Sequence, residues 1–235
     1  MMRWARPIAA AMILLAALTA GPLALAHRPA PEFATATQTA AIQTAPGAPA
    51  GKPNKDTYLI VVDKATQVVS VLRKDERRQY TVLVRQMRCS TGLKPNYTPE
   101  GTFRIYGKYR WLRAIKNQYV QYACRFNNHI LLHSLSYSRI DVKTLITQTF
   151  TDLGKAVSAG CVRLSARDSK WIFDSCPNGT RVKVVKSGGP AATAVEPLPE
   201  LPAGQTWDPT DPAIAPPAPA SAAPGASPSP LPANS

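Results

Sequence analysis

The sequence has few of the side chains from which metal centres are built. Its 235 residues include only three histidines, which are scattered, and its four cysteines contain no Cys-x-x-Cys pair. Structural zinc sites need four histidine or cysteine ligands, usually in closely spaced pairs. The sequence therefore predicts no metal site, and we expect no cofactor.

Acidic side chains are also scarce. Asp and Glu number 14 against 28 Lys and Arg, which gives a formal net charge of +14. The excess lies in the middle of the chain, where residues 55–186 contain 24 basic and 9 acidic side chains. A basic surface attracts polyanions through long-range fields, although the alternative is simply a solvated, soluble surface.

A long apolar run occurs at the start of the chain, and no second one follows. Arg3 and Arg6 accompany apolar residues 8–18, and Ala24-Leu25-Ala26, with a small residue at each end, offers a cleavage site before His27. This arrangement predicts a secretory signal peptide over residues 1–26. The alternative is an uncleaved membrane anchor, although Gly21-Pro22 interrupts the run. In both cases we expect an exported protein of the cell wall or periplasm, which does not meet nucleic acid.

Two stretches show little apolar periodicity. Residues 27–54 are rich in Ala, Thr, Pro and Gln, and residues 187–235 are rich in Pro, Ala and Ser. Such segments bury too little apolar surface to offset the entropy lost on ordering. We therefore expect a flexible linker at 27–54, a disordered tail at 187–235, and one folded domain over residues 55–186.

The central domain carries short β-branched runs at close spacing. They lie at residues 57–62, 67–72, 80–84, 102–106, 118–122, 128–132 and 180–185. Runs of this length, separated by turn residues, are typical of a small all-β barrel or sandwich. Residues 141–150 predict a short helix, and residues 165–174 predict another, with Ser165 as N-cap and Asp168 three residues later. The predicted fold class is mainly β, with one or two short helices.

Four cysteines follow the predicted signal: Cys89, Cys124, Cys161 and Cys176. Export permits a disulfide, and Cys89 with Cys124 is one candidate pair, but the sequence leaves the connectivity open. Cys161 differs from the other three cysteines because a glycine precedes it. Arg163 lies two residues beyond, on the same side of the chain if the segment is extended.

Cys161 and His133 together fit a nucleophilic site. The thiolate is the reactive form of cysteine, and a neighbouring imidazole with a local positive charge raises its fraction. His133 ends a run that predicts a strand, 28 residues before Cys161, so the fold has to bring the two together. The alternative is structural, with Cys161 as a small buried hydrophobe and His133 as a core histidine.

Several ordered motifs surround this pair. Residues 158–164 read Ser-Ala-Gly-Cys-Val-Arg-Leu, His-Ser stands at 133–134, Cys-Ser-Thr-Gly at 89–92, and Thr-Pro-Glu-Gly-Thr-Phe at 98–103. With residues 168–174 and 178–182, the sequence over about 56–186 resembles the YkuD-type L,D-transpeptidases, which remodel bacterial peptidoglycan. The order His before Cys differs from papain-like hydrolases, and the Thr-Leu-x-Thr-Cys segment of sortases is absent.

The resemblance implies a reaction with named roles. Cys161 would form a thioester with the third residue of a tetrapeptide stem, releasing D-alanine, and an amine of a second stem would resolve it. His133 would hold the thiolate as an ion pair and transfer the protons. The backbone N–H groups of Ala159, Gly160 and Cys161 would bind the oxyanion.

The remaining roles concern substrate and loop. Substrate contacts would come from Ser158, Gly160, Arg163 and Ser134, and the guanidinium of Arg163 suits a carboxylate. Gly160 would leave room for a substrate backbone. Ser158 would shape the loop and orient the imidazole. Beyond the donor and acceptor stems, anionic wall polymers are expected partners of the basic surface, and a membrane only if the signal is uncleaved.

One departure from the family pattern affects the base. The usual motif has a second histidine directly before the Gly-Cys pair, where this sequence has Ala159. His133 would then act alone, oriented by a backbone carbonyl or by Ser134. On one strand, His129 would lie about 13 Å from His133 at ~3.3 Å per residue, so we expect no catalytic role for it.

Two alternatives to transpeptidation stay open. An L,D-carboxypeptidase would use water in place of the acceptor amine, and the sequence does not separate the two because loops shape the acceptor site. A non-catalytic, basic wall-binding module would need Cys161 only as a structural residue.

Overall fold

The computed structural model describes residues 52–214. The predicted signal peptide and nearly all of the predicted linker lie outside the described residues. The strands are β1 (Tyr58–Asp63), β2 (Val68–Lys74), β3 (Tyr80–Arg88), β4 (Gly101–Arg104), β5 (Gly107–Arg113), β6 (Tyr119–Asn127), β7 (Ile130–His133), β8 (Ser136–Tyr137), β9 (Val162–Arg163) and β10 (Arg181–Val185). The helices are α1 (Gln148–Thr151) and α2 (Ala166–Ser175).

These strands form two sheets, which confirms the predicted mainly β fold class. The first has the order β3-β2-β1-β10-β4, and the second has the order β5-β6-β7-β9, with β8 paired to β6. Most adjacent strands are antiparallel, but two strand pairs, β1 with β10 and β7 with β9, are parallel. The β7–β9 pair positions the site, because it joins the strand that ends at His133 to the strand that follows Cys161.

Alternation along the strands divides each one between a core face and an outer face. The main core contains Ile60 and Val62 of β1, Leu132 of β7, and Val162 and Leu164 at β9, all buried together. Residues at odd positions of β7 and β9 therefore lie on the opposite face of the second sheet. That face carries the candidate site.

Helix α2 begins where the sequence predicts. The Ser165 hydroxyl accepts a hydrogen bond from the Asp168 N–H at 3.1 Å and donates to the Asp168 carboxylate at 2.8 Å. The helix predicted over residues 141–150 is wrong for its first part, since α1 has four residues and starts at Gln148. Asp141 instead caps a turn, where its carboxylate accepts from the Lys143 N–H at 2.9 Å.

The prediction of an unfolded tail from residue 187 is wrong for residues 187–214. This C-terminal segment packs on the domain although it contains neither helix nor strand. Leu198 and Leu201 pack against the cluster around Leu135 and Tyr137. Polar anchors supply the rest of the contact, because the buried Asp208 and Asp211 meet donors on α2 and β6. Residues 215–235 lie outside the described residues.

All four cysteines after residue 26 are free thiols, so the candidate Cys89–Cys124 bridge is absent. Cys89, Cys124 and Cys176 are buried, whereas Cys161 is half-buried. Within residues 52–214, no helix is long and apolar enough to cross a membrane.

Candidate active site

The parallel β7–β9 pair brings the candidate residues to one face. His133 lies beside Arg163, and Leu132 lies beside Val162, whose side chain points into the core. Cys161 precedes β9 and packs with Leu131 in an apolar cluster on the other side. Because side chains alternate along a strand, the side chains of Cys161, His133 and Arg163 share this second face.

A cavity of about 420 Å³ opens on that face. His133, Ser158, Ala159, Cys161 and Arg163 line it together. The tip of the β5–β6 hairpin, including the exposed Ile115, forms the opposite wall. A cavity of this size holds a short peptide segment.

The Cys161 thiol rests in its protonated form. Burial raises the pKa of this thiol above its ordinary value, although the Leu131 N–H and the charges of Arg163 and Arg125 act in the lowering direction. The Sγ–H donates to the His129 carbonyl at 3.6 Å. The structure therefore favours a thiol over the thiolate that the resemblance implies.

The His133 imidazole is neutral as well. Burial, together with the nearby Arg163 charge, lowers its pKa to about 4, against the opposing effect of a hydrogen bond to the Ser134 carbonyl. That carbonyl lies 2.5 Å from Nδ1, so Nδ1 carries the proton and Nε2 is left as the acceptor. Burial therefore favours an uncharged resting pair over the thiolate–imidazolium pair that the resemblance implies, since no carboxylate of residues 52–214 pairs with the imidazole.

The loop before Cys161 is held by its own hydrogen bonds. The Ser158 hydroxyl donates to the Cys161 carbonyl at 2.6 Å and accepts from the Gly160 N–H at 3.0 Å. These bonds involve the loop backbone, and none joins the Ser158 hydroxyl to the imidazole. Ser158 lines the cavity, and its contact with substrate stays a prediction.

Gly160 is required by the protein's own packing. Its φ is +140°, and a Cβ at this position would lie 2.6 Å from the Tyr97 carbonyl oxygen and 2.8 Å from Ile130 Cδ1. The space left by the missing side chain is therefore filled by Tyr97 and Ile130. The prediction that it receives a substrate backbone is corrected accordingly.

The three backbone N–H groups proposed for the oxyanion differ in availability. The Gly160 N–H is engaged by Ser158, so it is not free in this conformation. Within residues 52–214, the N–H groups of Ala159 and Cys161 have no hydrogen-bond acceptor. These two are the donors that remain for a developing oxyanion.

The Ser134 side chain does not reach the cavity. It is fully buried, accepts from the Gln121 N–H at 2.9 Å and donates to the Leu135 carbonyl at 2.8 Å. Its predicted substrate contact is therefore corrected, and its link to the site is the backbone carbonyl that orients His133.

Arg163 is a half-buried cation on the site face. No carboxylate of residues 52–214 forms an ion pair with it, and its Nε is buried without a hydrogen bond to a described residue. Burial lowers its pKa, opposed by Asp152 and Cys161, yet a guanidinium stays charged at neutral pH. Such a group is ready to accept a carboxylate from a ligand.

Two residues at the cavity were missed or misjudged from sequence. His129 lies in a turn after Asn128, whose φ is +42°, and not on the strand; its carbonyl contacts the thiol. Arg125 of β6 also lines the cavity. No motif marks Arg125, and only the register of β6 on β7 places it near Cys161.

The comparison with known protein families fits this geometry. The family model of the L,D-transpeptidase catalytic domain (YkuD) matches residues 57–184. The chain belongs to this family. A Bacillus subtilis (strain 168) protein, YciB, named as a candidate L,D-transpeptidase, is 32% identical over 113 residues, which cover 45% of this chain and 54% of that protein. The chain thus matches about half of YciB.

Solved structures to which the chain is similar include L,D-transpeptidases. The enzyme from Mycobacterium smegmatis is 22% identical, with a TM-score of 0.43 over 55% of this chain and 58% of that one. L,D-transpeptidase 3 from Mycobacterium tuberculosis is 20% identical, with a TM-score of 0.43 over 55% of this chain and 61% of its own. In each case the match spans less than two thirds of the solved chain.

Proposed function

We propose that this family member is a peptidoglycan L,D-transpeptidase with Cys161 as nucleophile and His133 as general base. The observation that carries the proposal is that both side chains lie on one face of the β7–β9 pair and line one cavity. Cys161 is also the one half-buried thiol among the four free ones, whereas the other three are buried. Fully buried structural thiols are inert because reagents do not reach them, so reactivity is expected at Cys161 alone.

The uncharged resting pair sets the order of proton transfers. As Sγ attacks the carbonyl between the third and fourth residues of a tetrapeptide stem, its proton passes to Nε2 of His133. The imidazolium then gives this proton to the departing amine, the C–N bond breaks, and D-alanine leaves. A thioester on Cys161 remains. General acid–base help of this kind contributes roughly 10²–10⁴-fold.

The second half of the reaction reverses these roles. An amine of a second stem attacks the thioester carbonyl, its proton passes through His133 to sulfur, and the C–S bond breaks. The N–H groups of Ala159 and Cys161 are the donors for the oxyanion in both halves. Arg163 would hold the carboxylate of the departing D-alanine, and its position next to His133 supports this role.

Product analysis tests the proposal. The parent protein and the variant Cys161→Ser are incubated with a disaccharide-tetrapeptide, and products are separated by liquid chromatography with mass detection. Cross-linked dimer and free D-alanine from the parent alone are expected. Tripeptide without dimer would assign L,D-carboxypeptidase activity instead, and equal products from both proteins would reject the cysteine mechanism. Binding to wall fragments without any turnover would favour the non-catalytic module.

We also propose that the protein acts in the cell envelope. Its proposed substrate lies outside the cytoplasmic membrane, and residues 1–26 have the pattern of a secretory signal. N-terminal sequencing of protein recovered from the envelope tests this. A start at His27 is expected, whereas an intact N-terminus in the membrane fraction would indicate an anchor.

A further inference from the structure

A second guanidinium lies on the face that carries Cys161, in the row of residues before that of His133. On β6, Arg125 pairs with Leu131 of β7, and Leu131 packs against Cys161. On the next row of the same face, His133 pairs with Arg163. At ~4.8 Å between strands, the Cα of Arg125 lies roughly 10 Å from that of Cys161, within reach of a bound peptide.

This guanidinium has no acid to neutralise it. Among the described residues, no carboxylate forms an ion pair with Arg125, and its Nε is buried without a hydrogen-bond partner. The Tyr109 ring, 5.3 Å from the guanidinium carbon, holds it in place. Neither Asp nor Glu is among the residues that line the cavity. A cation in this position favours the binding of an anionic ligand.

The chemistry at Cys161 assigns different carboxylates to the two arginines. The departing amine must meet His133, so the carboxylate of the departing residue falls towards Arg163, beside that imidazole. The acyl part of the donor stays bonded to Sγ, in the row that Cys161 shares with Leu131 and Arg125. An anion near Arg125 therefore belongs to the residue that becomes the thioester.

We propose that Arg125 is a specificity-determining residue, which selects donor stems whose third residue carries a free side-chain carboxylate. This inference rests on the proposed function, since it concerns the donor of that reaction. Stems in which the same carboxylate is a carboxamide lose the charge-assisted, bidentate contact and are expected to react more slowly.

Donor competition is the first part of the test. Rates of D-alanine release are compared for two tetrapeptides that differ only in a carboxylate or a carboxamide on the third residue. We expect the parent to prefer the carboxylate donor by about 10- to 100-fold in kcat/KM, since a hydrogen bond to a charged group is of this strength. Arg125→Gln should remove the preference, and Arg125→Lys should restore part of it.

Alkylation of Cys161 is the second part, and it needs no turnover. The ratio of rates for iodoacetate, an anion, and iodoacetamide, a neutral reagent of similar size, reports the positive field at the sulfur. Arg125→Gln should lower this ratio by about 3- to 10-fold at low salt. Arg139→Gln is the control, because Arg139 is exposed and does not line the cavity.

The two readouts separate the inference from the function on which it rests. If no donor reacts but Arg125→Gln lowers the alkylation ratio, the proposed transpeptidation fails and the anion site stands. If the parent reacts equally with both donors, or Arg125→Gln keeps the parent's preference, Arg125 does not select the donor. An unchanged alkylation ratio in Arg125→Gln would overturn the anion site as well.

Discussion

The loop at residues 158–161 and the C-terminal segment at 187–214 are both irregular, yet they are held in different ways. The loop is fixed partly from within, since the Ser158 hydroxyl bonds two groups of the same loop, and partly by bonds with Thr91 and Thr98. The C-terminal segment is fixed mainly by partners that lie far away in the sequence. An irregular segment can therefore be held by bonds within itself as well as by the surface against which it packs.

Helix α2 shows how the C-terminal segment is anchored. The first N–H groups of a helix have no partner within the helix. Here the Asp208 carboxylate accepts from the Ala166 N–H at 2.7 Å, and the Thr210 hydroxyl accepts from the Arg167 N–H at 3.3 Å. Ser165 serves the next N–H, so the C-terminal segment and the N-cap share the start of α2.

Gln121 of β6 connects the C-terminal segment to the strand that ends at His133. Its side-chain amide donates to the Asp211 carboxylate at 2.6 Å and to the Tyr137 hydroxyl at 2.9 Å. Its backbone N–H donates to Ser134, whose carbonyl orients His133. The C-terminal segment thus supports the strand that ends at His133, and none of its residues lines the cavity.

The largest expected effect is at the site face. His133→Gln should lower the rate of D-alanine release by about 10²- to 10⁴-fold, since the proton acceptor for Sγ is lost. His129→Gln is the matched control, because His129 contacts the thiol through its backbone carbonyl. Steady-state rates measure both. Equal losses in the two variants would contradict the assignment of His133 as base.

Two glycine substitutions compare the regions directly. Gly160→Ala should reduce the free energy of unfolding by about 3 kcal/mol or more, since positive φ and a backbone clash act together. Gly188→Ala, also at positive φ but with no atom within 4 Å of the added Cβ, should cost only about 1 kcal/mol. Urea unfolding provides both values. A smaller loss of unfolding free energy for Gly160→Ala than for Gly188→Ala would contradict this comparison.

Lowering the pH should change the stability contributed by His133 and by Asp208 in opposite directions. His133 has a folded-state pKa of about 4 against an ordinary 6.5, so the unfolded chain binds the extra proton and stability falls between pH 6.5 and 4. Burial raises the pKa of Asp208, so its contribution to stability increases as pH falls. His133→Gln should therefore flatten the acid loss, by up to about 3 kcal/mol.

Unfolding midpoints from pH 7 to pH 4 check this prediction. Asp208→Asn should act the other way and make the acid loss steeper, because the gain on protonating Asp208 disappears. If His133→Gln leaves the pH dependence of stability unchanged, the imidazole is not buried in its neutral form.

The smallest expected effects concern the anchors of the C-terminal segment. Asp208→Ala should cost about 1–2 kcal/mol, as loss of a helix cap does, and Asp211→Ala about 1–3 kcal/mol, since it leaves the buried Gln121 amide short of an acceptor. Glu200→Ala, an exposed acid of the same segment, should stay within about 0.5 kcal/mol. Equal stability of all three would mean that the segment is not anchored by these carboxylates.

The difference between the regions also explains what the sequence could predict. Local signals found the strands and the Ser165 cap, because their causes lie within a few residues. The motif around Cys161 pointed to the loop. The reason that position 160 requires glycine is the close approach of Tyr97, which lies 63 residues earlier. The C-terminal segment escaped prediction because its few apolar residues gave no periodic pattern and its anchors are on α2 and β6. Arg125 escaped for the same kind of reason, since only strand register places it.

The most direct test of the account is to locate the acyl group. The parent protein is mixed with a tetrapeptide stem, quenched in acid, digested and mapped by mass spectrometry. We predict a thioester adduct on the peptide that contains Cys161, absent in Cys161→Ser, slowed in His133→Gln, and never on Cys89, Cys124 or Cys176. Release of D-alanine by Cys161→Ser at the parent rate, with no adduct in the parent, would contradict the claim that this thiol and imidazole form the reactive pair.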